Sequence, residues 1–385
     1  MMFGTKAGVR DEVGFLLIHQ RYADHFFPGT SVLHTRLRYA LLIPWLYQSL
    51  RAKRPPPRDF AQAFIDLEHR LTGRLQYQDG EGETDGVIGG EVYPRAISQP
   101  PAYVYWTALA KWGIISARPD GRHWSRPNMA RLLAGGSKRF LYDDDGKPLE
   151  TAPWPITGLI KPPEDWEGNG KMTLELSSDE RAFLARKLRA VQSPTDPSEP
   201  SLLAKLVSHP LKDVGHCWDD EILGFAGKES ARLTRAGQAA ALSAIGRAVY
   251  AALVETVKEE RDKRPQENLH RRDLGEVVAE WGTQAAALEF THFLEDVGQL
   301  PTPVETVLRE TLSWIRSKKK NPAPLLEVYE RAEFSRKGDR ARLANNQFGV
   351  DRRMEWQGEK HGYAEPLHYR WGNVKRLLRD LEGVA

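Results

Sequence analysis

The sequence predicts a mostly α-helical, multi-helical protein with a winged-helix-like N-terminal part and an all-α C-terminal part. Apolar residues recur at helical spacing in several long stretches, strand patterns are scarce, and 25 prolines and 32 glycines interrupt the hydrophobic pattern. The 385 residues suggest two or three domains of ~150 residues each. Because 28% of the residues are charged, collagen, a coiled coil and a disordered chain are all poor descriptions.

The first predicted helical block runs from Asp11 to Arg54. Between His34 and Leu50, apolar residues recur every three or four positions, which predicts a buried helix. Pro44 has no backbone donor, so we expect it to kink this helix or divide it in two. After a basic polyproline connector, a second helix is predicted from Phe60 to Leu71, with Asp59 placed to complement its dipole.

A winged-helix pattern occupies residues 95–135. Pro100 and Pro101 suit the first turn of a helix, and Gly113 suits its end. The next residues predict a short strand over 114–118, a tight turn, and a returning strand over 122–125. Helix, strand, turn and strand follow one another in this order in the second half of a winged helix.

A winged helix can place one helix in the major groove of DNA while its hairpin touches the backbone. The cations that would line this surface are Lys111, Arg118, Arg122, His123, Arg126 and Arg131. The alternative is a winged helix that contacts proteins, with the aromatic residues of the helix forming only the domain core. The residues alone leave both interpretations open.

The stretch from Tyr142 to Asn169 is rich in Asp, Pro and Gly, which indicates a domain boundary. We therefore predict an N-terminal domain over 1–145, a docked linker over 146–200 with one helix from Ser178 to Val191, and a helical domain over 201–385. The helices expected in this last domain span residues 228–263, 273–297, 301–319 and 371–381.

The C-terminal segment from Thr311 onward carries sixteen Lys and Arg residues against ten Asp and Glu residues, with aromatic residues between them. Nucleic-acid surfaces combine phosphate-binding cations with aromatic stacking platforms in this way. A solvated helical face over a small aromatic core would have the same composition. The candidate phosphate contacts in this segment are Lys318, Lys319, Lys320, Arg352 and Arg353.

A possible anion site precedes the helix that contains Pro44. Exposed amides at Thr30 and Ser31 could hold an anion, with Arg36 and Arg38 as counter-charges. In the alternative interpretation a hydroxyl caps the helix and the two arginines pair with acidic residues elsewhere in the fold.

Motifs for catalysis and metal binding are absent from the sequence. The chain has one cysteine, so an intrachain disulfide and a multi-thiolate metal site are excluded and a reducing cytosol is favoured. Adjacent His216 and Cys217 are poorly placed to share one ion, and a buried structural role for Cys217 is favoured. We assign no catalytic residue, no metal site and no cofactor. The early apolar run is far shorter than the ~20 residues of a membrane span, so a cytoplasmic protein without a membrane partner is expected.

Residues 27–47 read FPGTSVLHTRLRYALLIPWLY. This stretch resembles a prokaryotic family known mainly as a domain of unknown function, whose members share FPGTS, TRxRY and PWxY in this order. The similarity continues through residues 105–114 and ends near residues 368–371. Such proteins are typically encoded beside helicases and phospholipase D-like nucleases in phage-defence islands. The resemblance implies an accessory subunit of a DNA-targeting defence complex and assigns no catalytic residue.

These observations predict a non-enzymatic DNA-binding or scaffolding subunit of a bacterial antiphage defence complex. Its expected partners are DNA and a helicase or a phospholipase D-like nuclease. Two alternatives stay open: a metal-dependent nuclease subunit with scattered ligands, and a pure protein–protein adaptor.

Overall fold

The computed structural model describes residues 11–53, 55–76, 86–118, 120–135, 154–209, 214–356, 358 and 363–382. Within these ranges the chain is mostly helical and contains no β-strand, only an isolated bridge between Gln192 and Pro200. The mostly α-helical class is therefore confirmed. The helices, in chain order, are α1 (Leu16–Phe26), α2 (Tyr39–Lys53), α3 (Phe60–Gln76), α4 (Pro101–Lys111), α5 (Arg126–Gly135), α6 (Ser178–Arg189), α7 (Leu202–Leu206), α8 (Asp220–Ala226), α9 (Ser230–Glu260), α10 (Leu269–Ala286), α11 (Phe290–Val297), α12 (Thr302–Arg316), α13 (Leu326–Lys337), α14 (Gln347–Met354) and α15 (Trp371–Glu382).

The chain forms two compact units, and each unit combines segments that are distant in sequence. Unit 1 comprises Met1–Ala23 and Val214–Tyr369, and unit 2 comprises Asp24–Asp213 and Arg370–Ala385. Unit 1 therefore contains α8 to α14, and unit 2 contains α2 to α7 together with α15. The division falls inside α1.

Unit 1 is organised around α9, a helix of 31 residues with an alanine-rich middle. Small side chains allow close approach of neighbouring helices, and α10 lies along α9 in the most extensive helix pair described. Within the described residues, one stretch, Asp220–Glu260, is long and apolar enough to cross a membrane. Since 89% of its most apolar window is buried inside the protein, it fits the core helix of a soluble protein.

Unit 2 is built around α2, which is buried from Tyr39 to Tyr47. The helix continues through Pro44, so the expected division into two pieces does not occur. The side chains on both sides of Pro44 are buried. The indole N–H of Trp45 donates to the carbonyl of Ile160 at 2.9 Å, which ties α2 to the segment before α6.

The start of α2 differs from the prediction because a side chain binds the amides that precede it. The Thr35 and Arg36 amides both donate to the Tyr105 hydroxyl, at 3.0 and 3.1 Å. These two residues therefore stay outside the helix, which begins at Tyr39 and not at His34.

The helix predicted over 273–297 is two helices, α10 and α11. The Arg316 guanidinium donates to the carbonyls of Ala286 at 3.0 Å and Leu288 at 2.9 Å. These carbonyls lie at the end of α10, where the last turn of a helix leaves acceptors unsatisfied. A side chain from α12 thus satisfies acceptors at the point where the continuous helix was expected.

The winged-helix prediction is wrong in its β-hairpin. Gly113 adopts the left-handed conformation, with φ of +63°, and ends α4 as predicted. The Ile114 and Ile115 amides then both donate to the carbonyl of Leu109, each at 2.9 Å. Because these amides complete the end of α4, they are not available to pair with a returning strand.

The second half of the expected hairpin is a turn followed by a helix. The Ser116 amide donates to the carbonyl of Pro155 at 2.8 Å, and the Arg118 amide donates to the carbonyl of Arg122 at 2.8 Å. Among the described residues, the bond from Arg118 to Arg122 is the one backbone hydrogen bond between the two predicted strands. It closes a tight turn and does not begin a hairpin. The chain then enters α5.

Candidate nucleic-acid interface

The segment between α4 and α5 and the adjoining turns of both helices form the first candidate site. We call residues 111–131 the α4–α5 segment. Lys111 is exposed at the end of α4, Arg122 and His123 are exposed in the connection, and Arg131 is exposed on α5. The structure thus places six sequence-predicted cations in one helix–loop–helix stretch of unit 2, although no hairpin forms.

Aromatic contacts fix the course of this segment. The Trp106 indole on α4 donates to the carbonyl of Trp124 at 2.7 Å. The Arg118 guanidinium lies 5.6 Å from the centre of the Trp124 ring, and that of Arg126 lies 5.0 Å from the centre of the Tyr103 ring. Cation–π contacts of this kind hold the charge in place without neutralising it.

One acid, Asp120, accompanies these cations in the segment. Its carboxylate lies 3.1 Å from the Arg118 guanidinium and accepts a hydrogen bond from the Arg122 amide at 3.0 Å. No described carboxylate lies within 4 Å of the guanidinium groups of Arg122, Arg126 or Arg131. The first turn of α5 contains no acid, so the positive end of its dipole adds to this charge.

The predicted cations of the C-terminal segment belong to unit 1 and do not form one group. Lys318, Lys319 and Lys320 are exposed immediately after α12. Arg352 is exposed on α14, where its guanidinium pairs with Glu355 at 2.7 Å. The three lysines therefore present exposed charge and form no ion pair with any carboxylate of the described residues.

Arg353 is not a surface cation. Its side chain is 1% exposed, and its guanidinium makes two hydrogen bonds to the Asp262 carboxylate, each at 2.7 Å. The third nitrogen of this guanidinium, Nη1, donates to the carbonyl of Ala344 at 3.0 Å. The bonds from Arg353 lower the pKa of Asp262. Arg353 is thus committed to the fold and is not available to a phosphate.

The hydroxyls of the possible N-terminal anion site make local hydrogen bonds. The buried Thr30 hydroxyl donates to the carbonyl of Phe27 at 2.7 Å. The Ser31 hydroxyl accepts from the Leu33 amide at 3.2 Å. Both groups therefore stabilise the turn that precedes α2.

The two arginines proposed as counter-charges at that site pair with carboxylates of unit 2. Arg36 lies 2.8 Å from Asp380, and the buried Arg38 lies 2.7 Å from Glu180. Arg38 also donates to the carbonyl of Thr173 at 2.8 Å. The geometry matches the alternative in which these arginines neutralise acids elsewhere in the fold.

Cys217 lies in the core of unit 1. Burial raises the pKa of its thiol well above the usual range, which makes a thiolate nucleophile unfavourable. The neighbouring His216 ring stacks on Trp218 at 4.7 Å between ring centres and lies 3.6 Å from Asp219. No group of three or more potential metal-binding side chains occurs among the described residues.

The sequence interpretation missed a groove beside α3 in unit 2 that is lined by partly exposed and by buried residues of this helix. Arg70 and Arg74 lie one turn apart there, opposite the loop that contains Asn169 and Lys171. Two arginines at i and i+4 are common on solvated helices, so their spacing indicated no site. The glycine-rich run before Lys171 was the sequence feature that could have indicated this groove. Its backbone carbonyls accept hydrogen bonds from both arginines.

Comparison with known proteins gives a similarity to one family model and points to no activity. Residues 2–144 match a family of unknown function, DUF6361. The N-terminal part of the chain is similar to that family. Comparisons with curated proteins and with solved structures gave no match.

Proposed function

We propose that this protein is a non-enzymatic, DNA-binding subunit of a larger prokaryotic antiphage complex in the cytoplasm. The observation that carries the proposal is the α4–α5 segment, where Arg122, Arg126 and Arg131 form no ion pair within 4 Å among the described residues and Arg126 is held over the Tyr103 ring. The defence context and the expected partners, a helicase or a phospholipase D-like nuclease, come from the resemblance of residues 27–47.

The chemistry of the α4–α5 segment favours the DNA backbone over the bases. Lysine and arginine side chains bind phosphate oxygens and release counterions, so such binding tolerates many sequences and weakens with salt. Arg118 and Arg126 are constrained by aromatic rings, which lowers the entropy lost on binding. We therefore expect sequence-tolerant, salt-dependent binding.

An adaptor that contacts only proteins is the second candidate. Phe334 on α13 and Phe348 and Met354 on α14 are large apolar side chains that are exposed in unit 1. Aromatic and methionine side chains are enriched in protein interfaces. These three residues favour a protein partner, and this partner could coexist with DNA binding in unit 2.

The double variant Arg122→Glu/Arg131→Glu tests DNA binding by the α4–α5 segment. We expect the variant to bind a fluorescent duplex at least ~10-fold more weakly than the native protein at low salt. We also expect the slope of log affinity against log salt to fall by about two, one phosphate contact per arginine. Fluorescence anisotropy over a salt series measures both quantities.

The matched control is the double variant Arg331→Glu/Arg309→Glu. These arginines lie on α13 and α12 of unit 1, are exposed and pair with acids one helical turn away. This control changes net charge by the same amount and should leave the salt slope unchanged. Equal loss of binding in both double variants, at unchanged melting temperature, would mean that net charge and not the α4–α5 segment governs the affinity.

A further inference from the structure

The α3 groove is an open cavity of about 390 Å³ in unit 2, with one cationic and one aromatic wall. This volume lies within the ~300–1,000 Å³ range of small-molecule sites. Its residues differ from those of the α4–α5 segment. A ligand in this groove would therefore be recognised independently of the proposed duplex-binding surface.

Arg70 provides a positive charge on the cationic wall that neutral hydrogen-bond acceptors hold in place. Its guanidinium donates to the carbonyls of Glu167 at 3.0 Å and Gly168 at 2.6 Å, and to the side-chain oxygen of Asn169 at 2.7 Å. All three acceptors are neutral, and no described carboxylate lies within 4 Å of this guanidinium. The loop thus orients Arg70 and leaves its charge for an anion.

Arg74 extends this wall toward the interior. Its guanidinium donates to the carbonyls of Gly170 at 2.6 Å, Trp166 at 2.6 Å and Asp165 at 2.9 Å. Its acidic neighbours are Asp165, which lies 3.6 Å away and is mostly exposed, and Glu167. Lys171 adds a third cation to the lining. An anion in the groove would meet positive charge from two elements of the fold.

The opposite wall is a stacked pair of rings, His69 and Tyr93, whose centres are 4.7 Å apart and whose planes differ by 26°. His69 Nε2 donates to the carbonyl of Pro94 at 2.7 Å, which fixes its ring. Gly73 makes room for Tyr93, because a Cβ at this position would lie 2.7 Å from the Tyr93 hydroxyl oxygen. A rigid pair of rings beside phosphate-binding cations is the arrangement that proteins use to hold unpaired nucleotides.

We propose that the α3 groove binds a nucleoside monophosphate unit, with the base against His69 and Tyr93 and the phosphate against Arg70 and Lys171. The unit is supplied either by a free nucleotide or by an unpaired nucleotide in a DNA strand. Asp66, which also lines the groove, offers a carboxylate acceptor to an amino group on the base.

Titrations of the protein with inorganic phosphate, 5′-AMP and 5′-phosphorylated dA5, followed by NMR or calorimetry at low salt, test this proposal. We expect both nucleotide ligands to bind more tightly than inorganic phosphate. Equal affinity for 5′-AMP and dA5 would identify a free nucleotide as the source, whereas a preference for dA5 would identify an unpaired strand.

Variants in the aromatic wall and in the cationic wall test the roles of the two walls separately. Tyr93→Leu should weaken 5′-AMP binding about 10-fold, the expected loss of one stacking contact, and leave phosphate binding unchanged. Tyr93→Phe keeps the ring and should bind as the native protein does. Lys171→Gln should weaken all three ligands and spares the loop contacts that Arg70 makes.

Two results would overturn the proposal: no nucleotide binding by the folded native protein, or nucleotide binding that Tyr93→Leu and Lys171→Gln both leave unchanged. The proposed DNA-binding function fails separately. Arg122→Glu/Arg131→Glu should weaken duplex binding and spare 5′-AMP binding, whereas Tyr93→Leu should do the reverse.

Discussion

At the residue scale, Glu68 illustrates how burial changes an acid that looks ordinary in the sequence. It lies on α3 with 5% of its surface exposed, and its carboxylate accepts a hydrogen bond from the Ala102 amide in the first turn of α4 at 2.8 Å. Burial raises the pKa of Glu68 to about 7, and the Ala102 bond and the charge of Arg126 offset part of this effect. Glu68 therefore caps α4 from a neighbouring helix.

Glu68→Gln should remove a pH dependence from the stability of unit 2. In the native protein the folded state holds the Glu68 proton up to about pH 7, whereas the unfolded chain releases it near pH 4.5. The contribution of the Glu68 proton to the free energy of unfolding is complete below the pKa of Glu68 in the unfolded chain. It falls by about 3 kcal/mol as the pH rises through the pKa of Glu68 in the folded protein. Gln keeps an acceptor for the Ala102 amide and carries no charge.

Urea unfolding between pH 4.5 and 8 measures this difference. The free energy of unfolding of Glu68→Gln should rise relative to the native protein as the pH increases. Glu175→Gln, at an exposed position of unit 2, is the control and should follow the native profile. Parallel profiles for Glu68→Gln and the native protein would show that Glu68 has no part in the pH dependence.

The sequence predicted which residues are charged and could not predict which of them are buried. Arg353 looks like a surface cation in a basic stretch, yet it pairs with Asp262, far away in the chain. For Arg38 an acidic partner elsewhere in the fold was one of the two interpretations, but the sequence did not say that this partner is Glu180. Such pairs depend on tertiary contacts that no local spacing encodes. The cations of the α4–α5 segment lie together in the fold because they are close together in the sequence, and their role in binding DNA stays a prediction.

At the element scale, helix ends were predicted well where the signal is local. Pro101 stands in the first turn of α4, and Gly113 ends it. Helix α6 begins at Ser178, as predicted, and Ser177 before it forms a capping box with Glu180. The β-branched pair Ile114 and Ile115 predicted a strand, but their amides complete the end of α4.

Gly113→Ala tests this helix end. A Cβ on Gly113 would meet nothing within 4 Å, so the whole cost should come from the left-handed backbone. We expect a loss of about 1–2 kcal/mol in the free energy of unfolding. Gly113→Asn should cost less, because asparagine tolerates this conformation. Thermal or urea unfolding compares the two variants, and equal losses would contradict an origin in backbone conformation.

At the scale of the whole molecule, α15 joins the far end of the chain to unit 2. The Asp380 carboxylate accepts from the Leu37 amide at 2.6 Å. Trp371 is 2% exposed, and its ring centre lies 5.9 Å from that of Phe27. The sequence predicted α15 as a closing helix but not its partners, because contacts across more than 300 residues leave no periodic signal.

Trp371→Ala should destabilise unit 2 selectively. Loss of a buried tryptophan costs about 3–5 kcal/mol, and the contacts of α15 described above lie within unit 2. Hydrogen exchange should therefore accelerate in α2 and α6 while α9 and α12 keep their protection. The control Arg379→Ala, at an exposed position of α15, should leave hydrogen exchange unchanged in all four helices. Equal loss of protection in α9 and α2 would contradict selective destabilisation.

The discontinuous unit 2 also sets an order of events during synthesis. A ribosome adds ~5–20 residues per second, so residues 214–369 separate the completion of α7 from the appearance of α15 by roughly 8–30 s. Throughout this interval the apolar surface around Phe27 lacks the Trp371 ring that covers it in the folded protein. Nascent chains of this protein should therefore need protection by chaperones until α15 emerges, although the earlier helices of unit 2 are already made.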